Sequence, residues 1–228
     1  MIMFLVNFTF DLNIKVMKSI AKTRILRFAI TLNIITNLFM GCENNGTETP
    51  LNDQQSTAIQ LKDQEALLFM LEEEKLARDT YIYLDELWSV NQFSNIQISE
   101  QSHLDAVAKL LDGFGIEHTI LPEGEFMNQE IQDLYDTFIE DGALNLTEAL
   151  KVGATIEDLD IVDLEDYINA TSNATIISVY ERLQCGSRNH LRSFVLALEN
   201  AGSTYTPQFL TMDAYEFIKN ATNEQCGR

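Results

Sequence analysis

The chain has 228 residues, 46% of them apolar and 22% charged, and carries a formal net charge of −20 at pH 7. This length and composition predict one globular domain with a substantial core. Because phosphate binding needs positive charge, the acidic balance excludes nucleic acid as a partner and is compatible with attraction of cations. With only three prolines and ten glycines, the sequence favours long helices over a turn-rich β-sandwich.

The N-terminal segment is typical of an export signal. "MKSIAKTRILRFAITLNIITNLFMGC" (17–42) places basic residues before an apolar stretch that ends at Gly41 and Cys42. It resembles a bacterial lipoprotein signal. Residues 1–41 are therefore predicted to be a signal peptide, with 1–16 interpreted as an over-extended gene start, and Cys42 is predicted to carry a lipid at the periplasmic or outer-membrane face of the cell envelope. The alternative is a single membrane-spanning anchor.

Residues 42–60 are polar and poor in large apolar groups, which predicts a flexible tether. Helical periodicity then predicts four long helices, over about 62–88, 97–114, 146–168 and 175–200. Ser99 is the predicted cap of the second helix, and Gly113 and Gly115 are predicted to end it. A short amphipathic piece near 128–140 lies between the second and third helices, and a short terminal helix follows Gly202.

No segment of useful length shows the alternation of apolar and polar residues that is typical of a β-strand, so the predicted fold is all-α. The predicted domain covers residues 61–220, and a tail follows at 221–228. Short links join the first helix to the second and the third to the fourth, which makes two antiparallel hairpins. A long crossover separates the second helix from the third. This connectivity predicts a ferritin-like four-helix bundle.

Polar side chains interrupt the apolar stripe of every long helix. In chain order they are Glu74, then Glu100 and His103, then Glu157 and Asp160, then Ser187 and His190. Residues three apart on a helix project side by side, so each pair can reach one point on the bundle axis. Four carboxylates in a low-dielectric interior cannot all stay ionised by themselves, whereas two divalent metal ions would neutralise them. Oxygen and imidazole donors suit iron, with manganese and zinc as alternatives.

Each of these residues, taken singly, has an ordinary alternative as a hydrogen-bonded core group. Glu72 and Glu73 also compete with Glu74, since three consecutive glutamates allow the inward face to rotate. Glu181 lies nine residues from His190, on the opposite side of the helix. Together with Gln184, Arg188 and Arg192 it predicts a solvated face, and His118 is predicted to be exposed in a loop.

The two remaining cysteines lack the CxxC spacing of a metal site. Export would permit a disulfide. Cys185 is nevertheless interpreted as a small helix residue and Cys226 as part of a frayed tail.

Four short motifs resemble the helices of the ferritin-like di-iron carboxylate superfamily, especially rubrerythrins. They are "EKLARDTY" (74–81), "EQSH" (100–103), "EDLD" (157–160) and "SRNH" (187–190). Within that superfamily, "EEEKLARDTY", "ALKVGATIEDLDI" and "VYERLQCGSRNHLRSF" resemble a bacterial and archaeal domain family of unknown function, DUF2202, over about residues 60–220.

The resemblance implies a set of metal ligands: Glu74, Glu100, His103, Glu157, Asp160 and His190. Tyr81, Ser187 and Arg78 are then expected next to those ligands. The alternatives are an ordinary core tyrosine at Tyr81 and pairing of Arg78 with surface acids. Ser187 stands where the rubrerythrin pattern has a glutamate, and Asp160 where it has a longer carboxylate, which implies an asymmetric site. No rubredoxin-like four-cysteine module accompanies the motifs, so electrons would have to come from an unidentified donor.

Three functions are compatible with these interpretations of the polar residues and motifs. The first is a di-iron oxidoreductase of the ferroxidase or peroxidase type, acting on dioxygen, peroxide or ferrous iron. The second is a non-catalytic metal binder of the cell envelope, and the third is a metal-free structural or interaction bundle. The expected partners are a membrane, through the lipid, an electron donor, and a second copy of the chain in a homodimer.

Overall fold

The structure is a computed structural model that describes residues 59–227. The predicted signal peptide (1–41), the lipidation site Cys42 and residues 42–58 of the predicted tether lie outside the described residues. The segments predicted to form the helical domain and most of the tail lie within them.

Six α-helices and no strand make up the described residues, which confirms the all-α prediction. The helices are α1 (Leu61–Trp88), α2 (Asn91–Phe114), α3 (Gln129–Gly142), α4 (Leu146–Ala170), α5 (Ala174–Asn200) and α6 (Met212–Asn220). The four long predicted helices correspond to α1, α2, α4 and α5. Among residues 59–227, no helix combines the length and the apolar character that crossing a membrane requires.

Short polar side chains begin most of the later helices. The side chains of Asn128, Asn145, Asn173 and Thr211 each accept a hydrogen bond from a backbone N–H in the first turn of α3, α4, α5 and α6, respectively. Gly115 ends α2 with a φ of 67°, a left-handed conformation that glycine adopts without steric cost. The predicted cap at Ser99 is wrong. Helix α2 begins two turns earlier because the buried side chains of Phe93 and Ile96 extend its apolar face.

The four long helices form a bundle of two antiparallel hairpins. Helix α1 packs along α2 after a link at residues 89–90, and α4 packs along α5 after a link at 171–173. The hairpins meet where α1 contacts α4 and α2 contacts α5. Residues 115–145 connect the hairpins and contain α3, which packs against both α1 and α4. The predicted long connection between the second and third long helices is therefore present.

Apolar side chains fill the bundle on both sides of its middle. On one side, Leu67, Leu104, Leu164 and Tyr180 belong to one fully buried cluster, to which each long helix contributes. On the other side, the rings of Tyr81, Phe93 and Phe194 lie with centroids 5.3–6.1 Å apart. The polar side chains predicted on the inner stripes lie between these two apolar layers.

A disulfide joins Cys185 of α5 to Cys226 near the C-terminus. Cys185 is a helix residue, as interpreted, but the interpretation of Cys226 as part of a frayed tail is wrong, because the bond fixes it to α5. The two cysteines lie 41 residues apart in the sequence, so no local pattern indicates that they pair. The bond forms because α6 and the chain after it fold back along α5.

Part of the face predicted to be solvated is buried, at Gln184 against α4 and at Arg192 against the returning chain. Gln184 is 8% exposed and donates hydrogen bonds to the Ile161 carbonyl and the Glu165 carboxylate. Arg192 is 9% exposed and donates to the Ile218 carbonyl, at 3.2 Å. Glu181 itself is exposed, as predicted.

Asp158 fixes the path of the chain between α5 and α6. Its buried carboxylate accepts hydrogen bonds from the Tyr205 hydroxyl at 2.8 Å, from the backbone N–H of Phe209 at 3.1 Å and of Leu210 at 2.8 Å, and from the N–H of Gln208. Buried carboxylates need such partners to offset their desolvation. Asp158 therefore anchors residues 205–210 against α4.

Candidate metal centre

Helix geometry carries Glu100 and His103 into the bundle together. They stand three residues apart on α2, on the face that also buries Leu104 and Val107. Glu100 is only 2% exposed and His103 is 13% exposed. Their sequence spacing therefore places a carboxylate and an imidazole side by side in the interior.

The other three long helices bring their predicted residues to the same depth. Glu74 from α1, Glu157 and Asp160 from α4, and Ser187 from α5 are all buried, and His190 of α5 is 12% exposed. Of the three consecutive glutamates on α1, Glu74 is the one that contacts the histidine of α2.

Five of these residues form two groups that share Glu100. In the first, His103 Nδ1 lies 2.8 Å from Glu100 Oε2 and 3.3 Å from Glu74 Oε2. In the second, His190 Nδ1 lies 2.7 Å from Glu100 Oε1 and 3.4 Å from Glu157 Oε2. Each group offers three donor atoms that lie within 4.8 Å of one another. Each oxygen of Glu100 thus faces a different histidine.

The converging atoms lie close together but do not hydrogen-bond. Among the described residues, neither imidazole Nδ1 makes a hydrogen bond of acceptable geometry, and the same holds for Glu74 Oε1 and Glu100 Oε1. Buried polar atoms are normally paired, since an unpaired one loses its hydration without compensation. Donor atoms that approach one another without pairing have the arrangement that coordination of a cation requires.

Asp160 lies beside the two groups and completes the set of carboxylates. Its Oδ2 accepts a hydrogen bond from the Ser187 hydroxyl, while its buried Oδ1 has no hydrogen-bond partner among the described residues. Burial first, and then the charge of Glu74, raises the pKa of Asp160 well above its usual range. Ser187 thus positions one oxygen of Asp160 and leaves the other free.

Without a cation, the cluster balances its charge through protons. Burial raises the pKa of Glu74 to about 7 and also raises that of Glu157. Burial acts in the opposite direction on His190, but Glu100 and Glu157 outweigh it and raise its pKa to about 10. Burial would likewise raise the pKa of Glu100, yet the adjacent His103 and His190 lower it below its usual range. A metal ion would replace these protons.

Two predicted neighbours of the ligands behave differently. The Tyr81 hydroxyl donates a hydrogen bond to Glu157 Oε1 at 2.6 Å, and burial, followed by the charge of Glu157, raises the pKa of Tyr81 well above its usual range. Arg78 is directed instead toward Asp79, at 2.6 and 2.8 Å, and Gln101, at 2.8 Å. Asp79 is fully buried, and its two carboxylate oxygens pair with Lys75 and Arg78, which offsets the cost of its burial.

The structure also adds a residue that sequence reasoning missed. Gly186 lies against the ring of His103, and a Cβ at this position would lie 2.7 Å from both Cε1 and Nε2 of that ring. Glycine in a helix interior costs about 1 kcal/mol relative to alanine. A glycine among the inward residues of α5 was therefore the signal for a close approach at this point.

Similarity to other proteins extends over all six helices of the described residues. The uncharacterised protein domain DUF2202 matches residues 63–222. The chain belongs to the DUF2202 family. The uncharacterised protein MJ0754 of Methanocaldococcus jannaschii is 47% identical over 169 residues, which are 73% of this chain and 91% of that protein.

A crystal structure of this hypothetical MJ0754 protein has a TM-score of 0.70 to the present structure at 44% sequence identity. The match covers 79% of this chain and all of the crystallised chain. MJ0754 is itself named only as an uncharacterised or hypothetical protein, so the function of this DUF2202 protein has to be inferred from its own site.

Proposed function

We propose that this DUF2202 protein is an exported, ferritin-like metal protein that holds two divalent ions, iron by preference, and oxidises ferrous iron or reduces dioxygen or peroxide. The observation that carries the proposal is the pair of Glu–Glu–His groups that share Glu100. Two hairpins joined by a long connection also have the connectivity of ferritin-like bundles.

The donor set fits two hard or borderline divalent ions. Glu74 and His103 would hold one ion, Glu157 and His190 would hold the other, and Glu100 would reach both through its two oxygens. The free oxygen of Asp160 offers a fourth carboxylate, whereas α5 contributes His190 and, next to Asp160, the hydroxyl of Ser187 in place of a carboxylate. Four carboxylates and two neutral imidazoles would then balance the charge of two divalent ions.

When bound, such ions supply one-electron redox steps and Lewis acidity toward oxygen-containing substrates. The chain itself supplies an ordered environment. Apolar layers exclude water from two sides of the cluster. The Tyr81 hydroxyl donates a hydrogen bond to Glu157 Oε1, with 2.6 Å between the two oxygens. Because the pKa of Tyr81 is raised, the hydroxyl stays protonated and keeps Glu157 in place as a hydrogen-bond acceptor.

The disulfide supports export, because such bonds persist in oxidising compartments and are rare in the bacterial cytosol. An envelope lipoprotein anchored through Cys42 is part of the proposal. The electron donor and the homodimer stay predictions.

A second candidate function is a non-catalytic envelope metal binder. Ser187 favours it, because one long helix gives no carboxylate to the site and the coordination is then asymmetric. The two candidates differ in whether the loaded ferrous protein reacts with an oxidant.

Elemental analysis of protein purified from its native host tests metal binding. We expect about two transition-metal ions per chain for a site of this donor set. In Glu100→Gln the metal content should fall with helicity unchanged, whereas the exposed Glu181→Gln provides a matched control that should retain the metal. Fewer than one ion per several chains, with thermal stability unchanged by a chelator, would instead support a metal-free bundle.

Reaction with peroxide then separates the enzyme from the passive binder. The ferrous protein is mixed with hydrogen peroxide in a stopped-flow instrument, and absorption of the ferric product is followed. Turnover faster than that of free ferrous iron supports the oxidoreductase. A loaded protein that oxidises no faster than free iron is a binder only.

A further inference from the structure

A cleft of about 1310 Å³ opens between α2 and α5 and reaches the imidazole side of the candidate metal centre. His103, Gly186 and His190 line its inner end. Residues 224–227 form part of its wall. We call residues 221–227, which follow α6, the C-terminal strap. Small molecules that approach the two histidines along this cleft pass the strap.

The strap is attached to α5 at three places. Cys226 is bonded to Cys185, which immediately precedes Gly186 on the wall of the cleft. Glu224 accepts hydrogen bonds from the guanidinium of Arg188, at 2.6–3.1 Å, and from that of Arg192, at 3.2 Å. Asn189 pairs with the backbone N–H and carbonyl of Glu224, at 2.9 and 3.2 Å.

The disulfide is the dominant attachment. No residue of the strap is buried, and the strap contains no helix, so little apolar packing holds it in place. The Glu224 side chain is 33% exposed, and ion pairs of that exposure contribute little to stability. Without the covalent bond, the remaining polar contacts would have to offset the conformational entropy of the freed chain.

We propose that the Cys185–Cys226 disulfide is a redox-controlled latch, which holds the strap beside the imidazole side of the centre and is released by a dithiol. Residue Cys226 is partly exposed, whereas Cys185 is buried, so a thiolate would approach the disulfide from the side of Cys226. Two dithiol sulfurs then form a new disulfide, and Cys185 and Cys226 receive the two electrons and two protons as free thiols. Once the strap is free, the cleft widens and exchange of ligands at His103 and His190 becomes faster.

Histidine modification tests the latch without any metal. Metal-free full-length protein is treated with diethyl pyrocarbonate, and the rates at His103 and His190 are compared with the rate at His118 by mass spectrometry. His118 lies in the loop after α2, contacts Ile116 and does not line this cleft, so it serves as an internal reference. After reduction with dithiothreitol, the ratio of the rates should rise about threefold or more, because local opening exposes the imidazoles.

Two variants make the test specific to the latch. In Cys185→Ala/Cys226→Ala the ratio should be high and insensitive to dithiothreitol. In Glu224→Gln, which keeps the disulfide, it should stay near the oxidised value. Equal ratios in oxidised, reduced and double-variant protein of unchanged helicity would overturn the proposal. If the double variant loses helicity, the comparison of oxidised with reduced wild-type protein decides the outcome, and equal ratios there would overturn the proposal.

The expected effect of strap release on metal exchange rests on the proposed metal centre, and it is tested by a separate measurement. Release of Zn²⁺ from loaded protein to a chelator should be about threefold or more faster after reduction, in proportion to the opening of the strap. Equal release rates would refute control of metal exchange. A protein that binds no Zn²⁺ but shows the change in histidine reactivity would refute the metal centre and leave the latch intact.

Discussion

Replacing Gly186 by alanine perturbs the candidate metal centre through a single methyl group. The new Cβ would lie 2.7 Å from Cε1 and Nε2 of His103, against a normal contact of about 3.5 Å, so the ring must move by about 0.8 Å. Metal–ligand distances tolerate only about 0.2 Å of error. We therefore expect Gly186→Ala to weaken metal binding by about 10–100-fold. This is the loss of affinity that is typical when a residue that supports a metal ligand is mutated.

Stability should change much less than affinity. Alanine improves the helix by up to about 1 kcal/mol, whereas overpacking costs about 1–3 kcal/mol, so the two effects largely cancel. His103 also lines the cleft and has space into which it can shift. The expected free energy of unfolding of the metal-free variant is thus within about 2 kcal/mol of the wild-type value.

Competition against a chromogenic chelator for Zn²⁺ measures the affinity, and urea unfolding of metal-free protein measures the stability. Gly113→Ala is a matched control, since it also lies in a helix and its Cβ would meet nothing within 4 Å. The control should bind Zn²⁺ as the wild type does. Wild-type affinity in Gly186→Ala would refute the assignment of His103 as a ligand.

Three further predictions address other parts of the molecule. The folded-state pKa of Glu74, about 7, lies above its ordinary value of 4.5, and that of His190, about 10, lies above 6.5. Both groups therefore stabilise the metal-free fold at low pH and lose that contribution as pH rises, Glu74 between 4.5 and about 7 and His190 between 6.5 and about 10. The melting temperature of metal-free protein should thus fall as pH is raised through this range, and a flat profile would contradict the buried cluster. Asp158→Asn should destabilise the protein by about 1.5–3 kcal/mol in urea unfolding, because charged hydrogen bonds to residues 205–210 are weakened, and it should leave metal content unchanged. Tyr81→Phe removes the hydrogen bond to Glu157 and should lower Zn²⁺ affinity by about tenfold, while unchanged affinity would show that the contact is only structural.

Much of the fold could be predicted from the sequence because helical periodicity is local. The four long helices and α3 were located to within a few residues, apart from the start of α2. There, Ser99 resembled a cap, but Phe93 and Ile96 continue the buried face. The inward placement of Glu74, Glu100 and Glu157 follows from the same 3.6-residue period.

The features that were missed depend on how distant segments dock. The disulfide and the burial of Arg192 both require the chain after α5 to return along that helix. No pattern within α5 encodes that path. For Arg78 the sequence left two positions open, next to the ligands or paired with surface acids, and its guanidinium pairs with Asp79, which is fully buried.

In the proposed metal centre, one carboxylate common to both groups would make the binding of the two ions interdependent. Since the two oxygens of Glu100 face different histidines, fixing its rotamer for one ion also sets the geometry met by the next. The coupling free energy between the two binding events is then reciprocal. A titration of the bundle with metal would then depart from the sum of two independent isotherms.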